Sequence, residues 1–556
     1  MKRSYDVIVI GSGLGGTAAA IEAARAGART AILCAGPLFS GSSFFPGTWG
    51  LGLIGPRSAS DAGDLIASIE HVGGGVADHA LVSSFVHGIP DAISWLVDDL
   101  DVQLKRPANE QSAQETAFIP CFDHTPRLWR GITREAYLAA ARRELSAHQV
   151  DVLERCELID LLDAAATNGV ASAGGRNAID PDAADSPQAS ARRHAICGLV
   201  YLDLRTQKLH ALHAGSIVLA SGGTGGLFER SLTARDVESS AHGIALTHGA
   251  ELTNIEFMQM MPGLLAPKRN LVFNEKTFRY IDWIAPAGRS MLPDGSALRD
   301  VLEVRSSHGP FTSRLGDHAV DLAIAAAGDE GLAIRYRFPT RNVPEFVQTF
   351  AHWMEHEHGI APDAQLRIAM YAHASNGGIR IDEAAWTGVE GLYACGELTG
   401  GMHGADRIGG LASANALVFG RRAGQAAAAH ALRHPHESVQ APCVDTGDLL
   451  AAAPALGTLE ARTLTKTMRH AMTRACMVQR NADGLHEAAL ELEHIATQVD
   501  ARQKRLATDA HDAASHANAL RLASQLRLAR AMVHAMAART RSLGSHYRTD
   551  GTQSVL

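Results

Sequence analysis

The 556-residue sequence predicts an α/β fold in which a discontinuous first domain is interrupted by an α+β insertion and followed by a helical domain. Three observations predict it. Short β-branched runs at residues 6–10 and 216–220 both lead into clustered glycines, residues 235–350 are mixed and richer in aromatic and charged residues, and helical spacing of apolar residues dominates from about 444 to 540. A chain of this length also favours several domains. The expected ranges are 1–234 and 351–440 for the first domain, 235–350 for the insertion, and 441–556 for the helical end.

The first element is a Val- and Ile-rich run at residues 6–10, typical of a buried parallel strand. The turn GSGLGG follows, residues 17–26 have helical composition, and residues 30–33 complete a βαβ unit of about 30 residues. Such glycines let backbone N–H groups approach a pyrophosphate at a helix N-terminus. The pattern predicts a Rossmann-like dinucleotide site that includes Gly11, Ser12, Gly13, Leu14, Gly15 and Gly16.

The position after the second strand departs from the usual pattern. Dinucleotide folds often place an acidic residue there, on a ribose hydroxyl, but this chain has Cys34-Ala35-Gly36. We expect backbone groups near Cys34, or hydroxyls such as those of Ser42 and Ser43, to hold the ribose. This departure weakens an NAD site more than an FAD site.

The remaining elements follow in order. Residues 36–56 predict a loop that covers a ligand, residues 61–104 and 132–148 are expected to be helical, and residues 163–193 have the composition of a surface insertion. The strand at 216–220 ends in SGGTGG, which lets Gly222 and Gly223 approach a ligand closely. Glycine-and-strand patterns return at 377–382 and 391–396.

Composition excludes several classes of function. The net charge of −8 and pI near 6.4 argue against a nucleic-acid partner. The seven cysteines include no CxxC pair, so no cluster or metal site of the usual spacing is expected, and their sparse use fits a reducing compartment. No apolar run reaches the ~18 residues that span a bilayer. We therefore expect a cytoplasmic protein without direct membrane insertion.

Several segments occur together in one characteristic order. They are DVIVIGSGLGGTAAAIEAARAG, the SGG turn at 221–223, GVEGLYACGELTGGMHGADRIGG and RSLGSHYRTD. Over essentially the whole chain the sequence resembles the flavoprotein family of fumarate reductase, succinate dehydrogenase and L-aspartate oxidase. The resemblance implies FAD, a mobile cap over the flavin, and hydride transfer between flavin N5 and a carbon of a small unsaturated carboxylate.

The resemblance also implies roles for individual residues. Arg407 in HGADRIGG and His373 in AHASNGG match the pair that binds a substrate carboxylate, and an arginine's planar fork suits that task. Arg299 in ALRD matches the arginine that donates a proton, with Arg289, Arg305 and Arg314 as open alternatives. Glu397 matches the glutamate on the ribityl chain, and His403 joins the expected substrate-binding residues.

Other positions depart from the family. Met261 stands where the family has a histidine for the second carboxylate, and Asn274-Glu275 replaces a threonine–glutamate pair. A methionine offers no charge and no strong hydrogen bond. We therefore expect a substrate with one activating carboxylate and a less polar second end.

Three further departures concern the flavin and the chain end. Ser42 lies near the place of the histidine that carries covalent FAD in succinate-oxidising members, so non-covalent FAD is expected. Leu411-Ala412 replaces Asn-Ser, which leaves Ser413 or Asn415 to assist at the flavin ring. Leu543 replaces an arginine, which leaves the docking of the closing segment open.

Reduction of an activated double bond is the leading hypothesis. The alternatives are amino-acid oxidation of the L-aspartate oxidase type, an electron-transfer subunit of a larger complex, and a family member that binds FAD without activity. The sequence does not indicate the electron donor or acceptor.

Overall fold

The computed structural model describes residues 4–48, 50–109, 120–163, 195–284, 292–293, 295–434, 455–503 and 513–551. The strands in this part of the chain are β1 (Ser4–Ile10), β2 (Thr30–Cys34), β3 (Gly52–Gly55), β4 (Leu104–Lys105), β5 (Leu128–Ile132), β6 (Asp151–Glu154), β7 (Cys156–Asp163), β8 (Ile196–Asp203), β9 (Lys208–Leu219), β10 (Leu252–Thr253), β11 (Met258–Ala266), β12 (Leu271–Val272), β13 (Ile281–Ile284), β14 (Leu332–Tyr336), β15 (Gln365–Ser375), β16 (Gly378–Arg380), β17 (Leu392–Ala394) and β18 (Thr399–Gly400).

The helices of the same ranges are α1 (Leu14–Arg25), α2 (Ala59–Val72), α3 (His79–Ser94), α4 (Arg134–Ala147), α5 (Ala241–Thr247), α6 (Gly295–Arg305), α7 (Ala319–Ala326), α8 (Glu345–His352), α9 (Leu411–Arg433), α10 (Thr458–Cys476), α11 (Ala482–Gln503) and α12 (Ala513–Ala538). The predicted first strand, helix and second strand agree with β1, α1 and β2. Most of the predicted insertion at 163–193 lies outside the described residues, as does Arg289.

The main sheet is seven-stranded, with the order β6-β2-β1-β9-β8-β7 and β17 beside β9. Its centre is parallel, because β1 pairs in parallel with both β2 and β9. Strand β2, most of β1 and the last four residues of β9 are buried, as expected for a parallel sheet covered on both faces. The α/β class and the Rossmann-like first domain are therefore confirmed.

Helix α9 packs directly against α1. The contact depends on glycines: a Cβ atom at Gly420 would lie 2.5 Å from the carbonyl oxygen of Gly15, and one at Gly424 would lie 2.2 Å from that of Ala19. No side chain fits at such distances. The close packing brings the N-terminal part of α9 beside the glycine turn, where a Cβ atom at Gly15 would lie 3.3 Å from the carbonyl oxygen of Ala416.

A second sheet has five strands in the order β12-β11-β15-β14-β13. Its core continues into the three C-terminal helices, which pack against one another.

Two elements differ in their contacts from the predicted domain ranges, which stay a prediction. Strand β15 belongs to this sheet by pairing, although the expected boundary at residue 350 assigns it to the first domain. Helix α5 packs against α12 and β7, not against the second sheet.

The closing segment docks on the HGADRIGG element. Ser545 Oγ donates to the carbonyl oxygen of Ala405 at 2.9 Å, and a Cβ atom at Gly544 would lie 2.7 Å from Ala405 Cβ. Leu543, which replaces an arginine in the family pattern, lies against Gly74. Apolar packing and backbone contacts therefore hold the segment in place.

Among the described helices, one segment, His79–Asp99, is long and apolar enough by length and composition to cross a membrane. It comprises α3 and the π-helical turn after it. Its apolar residues Val82, Phe85, Val86 and Ile89 are buried in the core of the first domain. Core burial accounts for this composition, and the cytoplasmic location stays a prediction.

Candidate functional site

The predicted glycine turn joins β1 to α1. Gly11 has a φ of 106°, and a Cβ atom there would lie 2.4 Å from the carbonyl oxygen of Ala220. Gly16 packs against the carbonyl oxygen of Gly11, where a Cβ atom would lie 1.9 Å away. The backbone N–H of Leu14, at the start of α1, donates to Ser43 Oγ at 3.2 Å. The N-terminus of a helix that follows a glycine turn attracts phosphate oxygens, because its backbone N–H groups and its dipole favour negative charge.

A cleft of about 910 Å³ of empty space opens beside this turn. Its lining includes most of the residues predicted to bind a cofactor, namely Gly11, Ser12, Gly13, Leu14, Gly15, Cys34, Ser42, Ser43, Gly222 and Glu397. Ser42 Oγ is buried and has no hydrogen-bonding partner in the described structure. A cleft with an orphaned hydroxyl and a glycine-framed helix start fits a dinucleotide.

The other three predicted cofactor residues, Gly16, Gly223 and Ser413, are not part of the lining of the cleft. Gly16 supports the turn, and Ser413 is buried in the first turn of α9. A Cβ atom at Gly223 would lie 2.2 Å from Glu397 Oε1. The absence of a side chain at Gly223 therefore leaves room for the Glu397 carboxylate, which accepts the backbone N–H of Ser375 at 3.0 Å. Burial raises the pKa of Glu397, while that N–H and the charge of Arg407 oppose the rise.

Arg407 lies at the centre of a second group of predicted residues. Its side chain is buried, with 9% exposure, and its Nε has no hydrogen-bonding partner. It forms no ion pair within the described part of the chain, and burial lowers the pKa of its guanidinium. A buried, unpaired cation is costly, so this arrangement favours an anionic ligand.

Two predicted histidines lie within the electrostatic reach of Arg407. Burial and the charge of Arg407 lower the pKa of His373 to about 3, and that of His403 well below its usual value. Nδ1 of each ring is buried without a partner. Both imidazoles are therefore neutral at neutral pH and can donate one hydrogen bond each. The structure thus brings Arg407, His373 and His403 together, as the sequence predicts.

The predicted proton donor is not with them. Arg299 is exposed on α6. Arg314, one of the open alternatives, contacts the HGADRIGG element, because its Nε donates to Asp406 Oδ2 at 2.9 Å. Asp406 adjoins Arg407 in the chain and is 1% exposed. The short ALRD match does not specify which way a cap helix turns its side chains, and the identity of the proton donor stays a prediction.

Arg305, another alternative, is fully buried but committed elsewhere. Its Nε and Nη2 donate to the two carboxylate oxygens of Asp321 at 2.8 and 2.9 Å, and its remaining donors reach the carbonyl oxygens of His308 and Gly309. A guanidinium with its donors so satisfied acts as a structural cross-link of the cap.

Cys121 is a site residue that the sequence did not indicate. Its carbonyl oxygen accepts the N–H of Gly409 at 3.1 Å, and its Sγ donates to Glu275 Oε1 at 3.3 Å. Burial and the charge of Glu275 raise the pKa of the thiol to about 12, so it stays protonated. Its neighbour Phe122 lies under the guanidinium of Arg314, 5.6 Å from the ring centre. A lone cysteine in a loop carries no motif, and only the fold places it beside Arg407.

Two predicted substrate-binding residues that depart from the family, Met261 and Asn274, are both buried. Met261 lies on β11, is 5% exposed, and pairs with Tyr371 of β15. Asn274 is buried and caps the short helix that follows it, because its side chain accepts the N–H of Lys276 at 3.2 Å. Its Nδ2 is left without a partner.

The described residues contain no group of three or more His, Cys, Asp or Glu side chains that could hold a metal ion.

Comparisons with known proteins agree with this geometry. A family model described as "FAD binding domain" matches residues 6–412, and one described as "Fumarate reductase flavoprotein C-term" matches residues 465–554. L-aspartate oxidase of Streptomyces coelicolor is 28% identical over 98% of this chain and 88% of its own, and a fumarate reductase (CoM/CoB) subunit of Methanothermobacter marburgensis is 23% identical over 98% and 94%. An uncharacterised FAD-dependent oxidoreductase of Methanocaldococcus jannaschii is 26% identical over 64% of both chains. The fold is also that of Escherichia coli quinol fumarate reductase FrdA, with a TM-score of 0.74 at 19% identity, covering 100% of this chain and 93% of that one.

Proposed function

The chain belongs to the FAD-dependent flavoprotein family of fumarate reductase, succinate dehydrogenase and L-aspartate oxidase, and from this premise we propose that it reduces the activated carbon–carbon double bond of an unsaturated carboxylate. The glycine turn, Ser42 and Glu397 would hold FAD non-covalently in the cleft, and the bound cofactor would supply the hydride. The observation that carries the proposal is the buried guanidinium of Arg407, which has no carboxylate partner among the described residues.

Arg407 binds the substrate carboxylate through its planar fork and, with the neutral His373 as a hydrogen-bond donor, orients it. When a hydride adds to the carbon β to that carboxylate, negative charge develops on the α carbon and the carboxylate oxygens. The fixed positive charge of Arg407 stabilises this charge inside a site that excludes water.

The α carbon then takes a proton, and Arg314 is the proposed donor. It is 14% exposed and is oriented by Asp406 on one side and the Phe122 ring on the other. Burial raises the pKa of Asp406, whereas Arg314 and Thr312 lower it. Asp406 and the Phe122 ring hold the guanidinium in one orientation, and this orientation supports Arg314 as the proposed donor.

The second end of the substrate is proposed to be apolar. Met261 and the protonated Cys121 thiol provide no charge there, Glu275 beside Cys121 adds a carboxylate and no cation, and Asn274 is occupied in part by its cap. A 2-enoate with a hydrophobic substituent, of the cinnamate type, fits this distribution better than fumarate, whose second carboxylate would be buried without a cation.

The test uses the photoreduced holoenzyme under anaerobic conditions, with flavin reoxidation followed by absorbance. Cinnamate-type 2-enoates should reoxidise the flavin faster than fumarate does. The variant Met261→His should shift the ratio of the two rates toward fumarate by about tenfold, the usual scale for one regained charged hydrogen bond. Faster turnover of fumarate by the unaltered protein would refute the apolar second end.

Amino-acid oxidation is the second candidate, since L-aspartate oxidases match nearly the full chain. Formation of peroxide and iminoaspartate from L-aspartate in air would favour it. The sequence RIGG, which begins at Arg407, argues against it, because the L-aspartate oxidase branch has a sequence that resembles HGANRLASNS there.

A third candidate is an electron-transfer role within a larger complex, because one relative is named as a subunit. Purification of a chain that turns over alone with a soluble reductant would exclude this role.

Acid precipitation tests the proposal of non-covalent FAD, because a flavin that is not covalently bound should remain in the supernatant.

A further inference from the structure

Four carboxylate side chains line the cleft, and they differ in whether other described residues bind them. Three of them are held by the protein itself: Glu157 pairs with Arg521, Glu238 with Arg469, and Glu397 with the backbone N–H of Ser375. The fourth, Asp236, is half-buried and accepts no hydrogen bond from the residues that the structure describes. Its acceptor oxygens are available to a ligand in the cleft.

Asp236 lies far from the glycine turn in the sequence but close to the end of β2 in space. A Cβ atom at Gly36 would lie 2.7 Å from Asp236 Oδ2 and 2.7 Å from Ser40 Oγ. Burial raises the pKa of Cys34 to about 11, and the charge of Asp236 contributes to that rise. The carboxylate therefore stands at the carboxyl end of β2, where Cys34, Ala35 and Gly36 provide none.

From this placement we infer that Asp236 accepts a hydrogen bond from the 2′-hydroxyl of the adenosine ribose of the dinucleotide. In dinucleotide folds an acidic residue at the end of the second strand makes this contact. Here the segment after β9 delivers the carboxylate to the same place, and Gly36 lets it approach because it has no side chain. The hydroxyls of Ser42 and Ser43 are then not needed for the ribose.

Glu154 is the rival carboxylate at this edge. It lies at the end of β6, opposite Cys34 in the pairing of β2 with β6. Its Oε1, however, accepts the N–H of Leu38 at 2.7 Å, and Glu154 is not among the residues that line the cleft. It supports the loop after β2, whereas Asp236 faces the ligand space.

The inference rests on FAD binding and not on the proposed substrate, so its test uses no substrate. The full chain is produced flavin-free in riboflavin-starved cells and titrated with FAD and with an FAD analogue that contains 2′-deoxyadenosine, following flavin fluorescence. For the unaltered chain, the Kd of the analogue should exceed that of FAD by about tenfold, the scale of one hydrogen bond to a charged group.

Asp236→Ala should raise the Kd for FAD by about tenfold and abolish the preference for FAD over the analogue. The matched control Glu154→Gln should keep the preference. Gly36→Ala, which displaces the carboxylate without removing it, should behave like Asp236→Ala while retaining the far-UV circular dichroism of the parent. A preference retained in both Asp236→Ala and Gly36→Ala, or lost in Glu154→Gln, would overturn the assignment.

Discussion

Arg305 and Arg407 are both buried arginines at the substrate side of the molecule, yet their surroundings differ. Arg305 is 0% exposed, and its guanidinium donates hydrogen bonds to the Asp321 carboxylate and to two carbonyl oxygens. Arg407, 9% exposed, has an orphaned Nε and no carboxylate partner in the described chain. Removing a cation from water costs several kcal/mol unless a partner compensates. At Arg305 the protein provides that partner, and at Arg407 it leaves the place for a ligand.

The largest effect should follow from removing the unpaired cation. Arg407→Met should lower kcat/KM for the preferred enoate by about 10³-fold or more, because ground-state binding and charge stabilisation are both lost. Its unfolding free energy should stay close to that of the parent, because no ion pair or hydrogen bond of the described chain is lost and only the attraction between Arg407 and the Glu397 carboxylate disappears. Steady-state kinetics and urea denaturation measure the two quantities. A large loss of stability would show that Arg407 is paired within the protein after all.

The paired cation should show the opposite balance. Arg305→Met leaves Asp321 buried without its partner and should lower the unfolding free energy by about 3–5 kcal/mol. The double change Arg305→Met with Asp321→Leu should recover part of that loss. Urea denaturation of the three proteins decides the matter, and an Arg305→Met protein as stable as the parent would break the comparison.

Arg314 and Arg299 provide a matched test of the proton donor. Arg314→Gln should lower kcat by about 10²-fold with little change in KM, the usual contribution of a general acid. Arg299→Gln, an exposed control on the same cap, should leave both parameters near those of the parent. A large effect at Arg299 and none at Arg314 would restore the residue that the ALRD motif indicated.

Two buried histidines, one without and one with carboxylate partners, predict how the stability of the protein depends on pH. Burial lowers the pKa of His242 to about 4, so the unfolded state binds a proton below pH 6.5 that the native state does not. That residue should cost about 1.4 kcal/mol per pH unit between 6.5 and 4. His248 pairs with Asp160 and Asp163, which raise its pKa to about 9 despite burial. Its contribution is fully present below 6.5 and is lost as the pH rises through 9.

Urea denaturation of His242→Leu and His248→Gln across pH 5–9 measures both slopes. The first variant should flatten the acid limb of the stability profile, and the second should flatten the alkaline limb. The opposite assignment would contradict the burial and pairing described for these rings.

Local patterns carried much of the prediction. The βαβ unit was recognisable because a parallel strand, a glycine turn and a helix are fixed by residues within about 30 positions of one another. Arg407 was recognisable because glycines surround it in a characteristic element. Arg314, by contrast, could not be chosen over Arg299 from the sequence, because both are arginines of the cap and only packing decides which one is turned toward Asp406.

The sequence by itself determined the α/β class, the dinucleotide turn and the helical end, since these depend on short-range periodicity and spacing, and Arg407 was indicated by the family resemblance of HGADRIGG. Tertiary structure alone decided that Cys121 meets Gly409 and Glu275, that Asp236 stands beside Gly36, and that Arg305 is paired while Arg407 is not. These relations join residues far apart in the chain. Their energies depend on burial and distance, which no local pattern encodes.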